Sequence, residues 1–180
     1  DLHGSFRNGK PFWNASTSTP AGRLRSDLEL LPLLAEKGLC RAGKDISNGG
    51  IIGTLAMLCQ CSEVGVILNL EDLPCPMHVE MNQWLIAFPS YGYLLAISPQ
   101  DVEVTMCHFA STHITCREVG RFTATPGITI KANGDAVELD FSQVAPLPHQ
   151  GTDLPQRDHS KYTSINALRD VVQPPDIMVQ

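Results

Sequence analysis

An α+β fold, a mixed β-sheet covered by α-helices, is the architecture that three features of this 180-residue sequence predict. Segments with apolar residues at helical spacing alternate with short aliphatic and β-branched runs. An Asn133-Gly134 pair separates Ile128-Thr129-Ile130 from Val137-Glu138-Leu139, and both turn residues tolerate the positive φ of a tight hairpin. Hydrophobic residues make up 43% of the chain and charged residues 18%. A compact chain of this length buries roughly 70% of the surface its unfolded form exposes, so a core forms without a metal or a disulfide.

Residues 1–22 are rich in Gly, Pro, Ser, Thr and Asn, with Phe6, Phe12 and Trp13 interleaved, and read as an ordered loop leading into the domain. The spacing of Leu24, Leu28, Leu31 and Leu34 predicts a first helix, with Ser26 and Glu29 as a capping box and Gly38 as its stop. Pro32 must kink or divide it, because proline removes a donor and clashes with the preceding turn. Cys40 to Ser47 reads as a connector. Ile51 to Cys59 is apolar nearly all round and predicts a buried central helix, with Asp45 or Ser47 near its cap.

A strand follows at Gly65 to Leu70, then a proline-bearing loop, a short helix over Val79 to Phe88 and a largely buried strand over Tyr91 to Ile97. Pro99 suits the first turn of a helix running to about Ser111, and Ile114 to Phe122 makes a third strand. From Pro146 the chain loses its periodicity. It is expected to be an extended tail with at most one short helix around Ser164 to Val171, removable without loss of the fold. The organisation is therefore a lead-in at 1–22, a domain at 23–145 and a tail at 146–180.

The formal charge of −6 denies the chain a broad basic surface for nucleic acid. No apolar run approaches the length that spans a bilayer and no secretory signal opens the chain, so the expectation is a cytoplasmic protein with no membrane partner. The six cysteines have no zinc-site spacing: on a helix, Cys59 and Cys61 project about 200° apart. They are expected to be reduced and metal-free. The six histidines are scattered without ligand spacing.

The segment that carries chemistry is Lys44-Asp45-Ile46-Ser47-Asn48-Gly49-Gly50. Placed before a helix, it puts unsatisfied N–H groups and about half a positive charge where Gly49 and Gly50 let a phosphate approach the backbone. Ser47 adds a hydroxyl, Lys44 a neutralising charge, and Asp45 a carboxylate of the kind Mg²⁺ takes together with phosphate oxygens. A plainer reading has Asp45 or Ser47 capping the helix while the glycines permit tight packing. Trp13, flanked by Asn14, Ser16 and Thr17, is a second candidate, in which the indole stacks on a substrate ring or simply packs.

The order of elements and the 44–50 string, with Gly65-Val66 opening a strand, Phe88-Pro89-Ser90-Tyr91-Gly92-Tyr93 before Pro99, and Gly120-Arg121 closing a strand, resembles the C-terminal domain of the aminoimidazole ribonucleotide (AIR) synthetase superfamily. The resemblance covers roughly Asp1 to Asp140 and is nearest to the AIR-synthase-related group, whose reaction is unassigned; the Trp13-Asn14-Ala15-Ser16-Thr17 segment is similar to that group. It implies ATP and Mg²⁺ as cofactors of the full-length enzyme, with Lys44, Ser47, Asn48, Gly49 and Gly50 on nucleotide phosphate and Asp45 on the metal. Asn48 stands where kinase-like relatives often carry a second Asp. The partners it implies are a small-molecule substrate, an N-terminal ATP-binding domain whose glycine-rich and acidic motifs this sequence lacks, and a second copy in a homodimer. The expectation is a domain that closes over ATP and substrate and is inactive alone, or, as the alternative, a non-catalytic ligand-binding or interaction module that kept the fold.

Overall fold

The computed structural model describes residues 2–7, 10–139 and 176–179. Two short strands, β1 (Ser5–Phe6) and β2 (Phe12–Asn14), precede helices α1 (Ala21–Leu28) and α2 (Leu30–Glu36). Strand β3 (Cys40–Asp45) leads into the long helix α3 (Gly50–Ser62), and β4 (Gly65–Asn69) follows. Next come α4 (Met81–Ile86), β5 (Phe88–Pro89), β6 (Tyr93–Ile97) and α5 (Val102–Ser111). Strands β7 (Arg117–Thr123), β8 (Gly127–Ala132), β9 (Asp135–Leu139) and β10 (Asp176–Val179) complete the order.

Among the described residues, seven strands form the main sheet in the order β3-β6-β10-β7-β4-β8-β9, and β1-β2-β5 form a small one. In the main sheet β4 and β8 run parallel and the other neighbours antiparallel. The predicted mixed sheet with helical cover is therefore what the chain builds. Alternation along β6 explains the layering: Leu94 and Ala96 enter a core with Ile51 and Leu55 of α3, whereas Leu95 and Ile97 face Leu34 of α2 and Phe109 of α5. A strand covered on both faces must be apolar throughout, as Leu94-Leu95-Ala96-Ile97 is.

Several expectations change in detail. The first helix divides at Glu29, upstream of Pro32, which leaves the proline in the first turn of α2, where a missing N–H costs nothing. Ser26 lies inside α1, and no side-chain bond caps either helix, so the capping box does not form. Gly38 does stop α2, at φ +68°, with the Gly38 and Leu39 amides donating back to Ala35 and Leu34. The expected connector at 40–47 is largely the edge strand β3. Residues 1–22 are more than a lead-in: Trp13 and Ala15 are core residues. The Asn133-Gly134 hairpin forms with φ +52° and +86°, joining β8 to β9.

The largest change concerns the end of the chain. Asp176–Val179 is a central strand, paired with β6 on one side and β7 on the other. The expected helix at 164–171 lies outside the described residues.

Candidate functional site

The 44–50 segment leaves the end of β3 and turns into α3. Ile46 is buried, and its N–H donates to the Gly92 carbonyl at 2.8 Å. The Ser47 N–H donates to the buried hydroxyl of Thr54, one helical turn into α3, at 3.2 Å. Gly50 N–H then closes the turn on the Ser47 carbonyl at 2.9 Å. The cap of α3 is Gly49, at φ +87° with no side-chain bond, so neither Asp45 nor Ser47 caps the helix. Asn48 and Gly49 are exposed at the tip.

The two glycines do different work. Gly50 is buried at φ +64°, and a Cβ there would stand 2.4 Å from the Leu85 carbonyl oxygen and 2.5 Å from the Ile86 carbonyl carbon. It is a packing residue that lets α3 touch the end of α4. Gly49 is the one open to a ligand. Asp45 is exposed, and its Oδ1 accepts from Lys44 Nζ at 3.3 Å. Across the ladder lies Tyr93, whose phenol is pushed above its usual pKa by burial and then by the Asp45 charge.

Trp13 is not available to stack on a substrate. It is 4% exposed and meets Phe6 and Trp84 edge-on, with ring centroids 5.2 Å and 5.4 Å away. The residues after it form a tight polar turn. Asn14 Oδ1 accepts from the Thr17 hydroxyl at 2.9 Å, and Thr19 Oγ1 donates to the Ala15 carbonyl at 2.6 Å. The Ser90 hydroxyl accepts from both the Ala15 and Ser16 amides, at 3.0 Å and 2.9 Å.

Ser90 and Gly92 thus tie both candidate segments to the single stretch between β5 and β6. The 14–17 turn hangs on Ser90 and the 45–50 turn on Gly92. Ser90→Ala is expected to strip two neighbouring amides of their acceptor, costing about 2 kcal/mol because Ala15 is fully buried. Hydrogen exchange at Ala15 and Ser16 should accelerate with the fall in stability; unchanged exchange there would show that Ser90 does not hold the turn.

Sequence reading missed a buried cluster beneath this turn. Asp27 is fully buried, and Arg23 Nε, one helical turn earlier, donates to both its carboxylate oxygens at 2.9 Å and 3.1 Å. The Tyr91 hydroxyl reaches Asp27 Oδ2 at 3.4 Å and also bonds Thr19. Burial raises the Tyr91 pKa, the Thr19 bond opposes this and the Asp27 charge adds to it. The i, i+4 spacing of Arg23 and Asp27 was the one available signal. Among the cysteines, Cys59 is buried, with its thiol pushed up to about 12 by desolvation, and Cys61 is exposed.

The mixed sheet, the element order and a glycine turn opening the central helix define an α+β domain of the AIR synthetase type. The chain belongs to the family described as AIR synthase related protein, C-terminal domain, which matches residues 16–133. The uncharacterized protein sll0787 of Synechocystis sp. is 37% identical over 137 residues, 76% of this chain and 42% of that protein. The uncharacterized protein MJ0640 of Methanocaldococcus jannaschii is 29% identical over 142 residues, 78% of this chain and 44% of that protein. The chain therefore spans less than half the length of these curated relatives.

The fold is shared with Thermotoga maritima PurL complexed with ATP, at TM-score 0.62 and 19% identity over 71% of this chain and 22% of that one. E. coli HypE, a hydrogenase maturation protein, matches at TM-score 0.54 and 16% identity, over 67% and 40% of the two chains. Among the described residues, no helix is long and apolar enough to cross a membrane.

Proposed function

We propose that this chain is the substrate- and nucleotide-closing half of an ATP-dependent, AIR-synthase-like enzyme, and that it transfers no phosphate alone. The observation that carries this reading is the Ser47–Gly50 turn, which presents two exposed residues, Asn48 and Gly49, at the N-terminus of a 13-residue helix. Family membership and the ATP complex of the structurally similar PurL support it. Amides at such a turn donate to phosphate oxygens, and the Lys44 ammonium partly neutralises their charge. Thr17 and Ser16, on the turn held by Ser90, flank the same stretch and would orient the acceptor.

The reaction class is phosphoryl transfer from ATP to a small molecule, accelerated by positioning and charge stabilisation. Mg²⁺ fits this chain poorly. Asp45 offers one exposed carboxylate already paired with Lys44, and among the described residues no three carboxylate, thiol or imidazole side chains converge. The chain's own part is phosphate binding and closure. The second reading, a non-catalytic binding or interaction module, draws on Asn48, which withholds a carboxylate from the tip of the turn.

Amide NMR titration with ATP and with inorganic phosphate tests the proposal. Shifts centred on Ser47, Asn48 and Gly49, with no ADP formed, are the expected result. A silent 47–49 segment at millimolar ligand would leave the interaction module. Sustained ADP formation abolished by Asp45→Ala would overturn the division of labour.

A further inference from the structure

Helix α1 inverts the usual pattern of burial. Its one buried residue is a carboxylate, Asp27, while the neighbouring Leu28 is 38% exposed. As a device for stability this is a poor choice, because a carboxylate taken out of water needs its partner merely to recover the loss, and an apolar side chain in the same place does better. Charges that break the apolar pattern of an element in this way belong to functional sites.

What Asp27 secures is the direction of Arg23. Both carboxylate oxygens take Arg23 Nε, at 2.9 Å and 3.1 Å, and the Tyr91 hydroxyl donates to Oδ2 at 3.4 Å. The guanidinium is therefore fixed through its inner nitrogen alone. Its terminal nitrogens make no hydrogen bond among the described residues, Asp27 is its one ion-pair partner there, and the side chain is 40% exposed. The same guanidinium stands beside the polar 14–19 turn, since Tyr91 feels the Arg23 charge and is hydrogen-bonded to Thr19.

We propose that Arg23, aimed by Asp27, binds an oxyanion of the small-molecule acceptor, which therefore carries a carboxylate or phosphate group of its own. A planar fork of terminal N–H groups pairs with two oxygens of either group, which an ammonium cannot do. No acidic residue in the first turn of α1 opposes an anion there. Asp27 acts only through Arg23 and is a positioning residue. That the anion belongs to the acceptor rests on the reading of the chain as a closing half; that Arg23 binds one does not.

Arginine side-chain NMR of the whole chain, titrated separately with inorganic phosphate and with acetate, tests the assignment. The Arg23 terminal N–H signals should shift saturably with at least one of them, and the tighter of the two names the group. Arg23→Lys keeps a charge beside Asp27 but loses the fork, and should raise the Kd read at the Thr17 and Thr19 amides at least about tenfold with the unfolding midpoint little changed. Asp27→Asn is the sharper variant. It leaves the site more positive, which by itself would tighten an anion, so a Kd raised at least about threefold reports lost aim. If Asp27→Asn fails to fold, Arg23→Lys decides alone. Silence at Arg23 with a response at 47–49 would overturn the assignment and leave the ATP-dependent reading standing, whereas the reverse pattern would count against that reading alone. Arg23→Lys binding as the parent does, or Asp27→Asn binding as tightly or more tightly, would also overturn the assignment.

Discussion

A chain cut after residue 175 is expected to lose its cooperative unfolding transition. Asp176–Val179 fills the place between β6 and β7, which are not paired to each other, so its loss divides the sheet into β3-β6 and β7-β4-β8-β9. Four residues pair on both sides, with Ile177 opposite Ala96 and Gly120. At about 0.5–1.5 kcal/mol net for each backbone bond, and more where a buried group goes unpaired, the two ladders are worth several kcal/mol. That approaches the whole stability of a domain, roughly 5–15 kcal/mol. Urea unfolding followed by the fluorescence of buried Trp13 and Trp84 reads the effect. Ile177→Pro should act in the same direction by removing one donor from a central strand. A truncated chain that unfolds with the full midpoint and slope would show that β6 and β7 close without β10.

Gly50→Ala is expected to cost more than about 3 kcal/mol, against about 1 kcal/mol for Gly49→Ala. At Gly50 the new Cβ meets Leu85 and Ile86 backbone atoms at 2.4–2.6 Å, and neither can turn aside as a side-chain end would. At Gly49 the nearest atom is Gly53 Cα at 3.2 Å, so the main penalty is the left-handed φ of +87°. Denaturation midpoints of the two variants decide this. If Gly49→Ala proves the more damaging, the assignment of Gly50 to packing and Gly49 to the open turn is wrong. The same pair separates stability from binding, since a folded Gly49→Ala should lose phosphate-induced shifts at the turn.

Local pattern made much of the fold legible. The apolar run of α3, the aliphatic run of β6, the Asn133-Gly134 turn and the Gly38 stop each carry a preference strong enough to survive in the folded chain. Strand β3 was illegible because Cys-Arg-Ala-Gly-Lys-Asp has no β-branched or aromatic residue. It is a strand because β6 offers it a ladder from Cys40 to Asp45. The candidate site divided in the same way. Its residue types and their place before a helix could be read directly, but which glycine packs and which stays open depends on α4, more than thirty positions further along the chain.

By itself the sequence determined the class of fold, the order of most elements and the glycine-bearing turn at the head of the central helix, since periodicity, turn residues and the family resemblance act over short stretches. Only the tertiary structure decided that Trp13 is core, that Asp27 is buried beneath the 14–19 turn, that 40–45 is a strand paired with β6 and that the last described strand lies mid-sheet. Each of those depends on a contact between residues far apart in the chain. A residue's own preference of a kcal/mol or less is outweighed there by the surface and backbone groups that a distant partner removes from water.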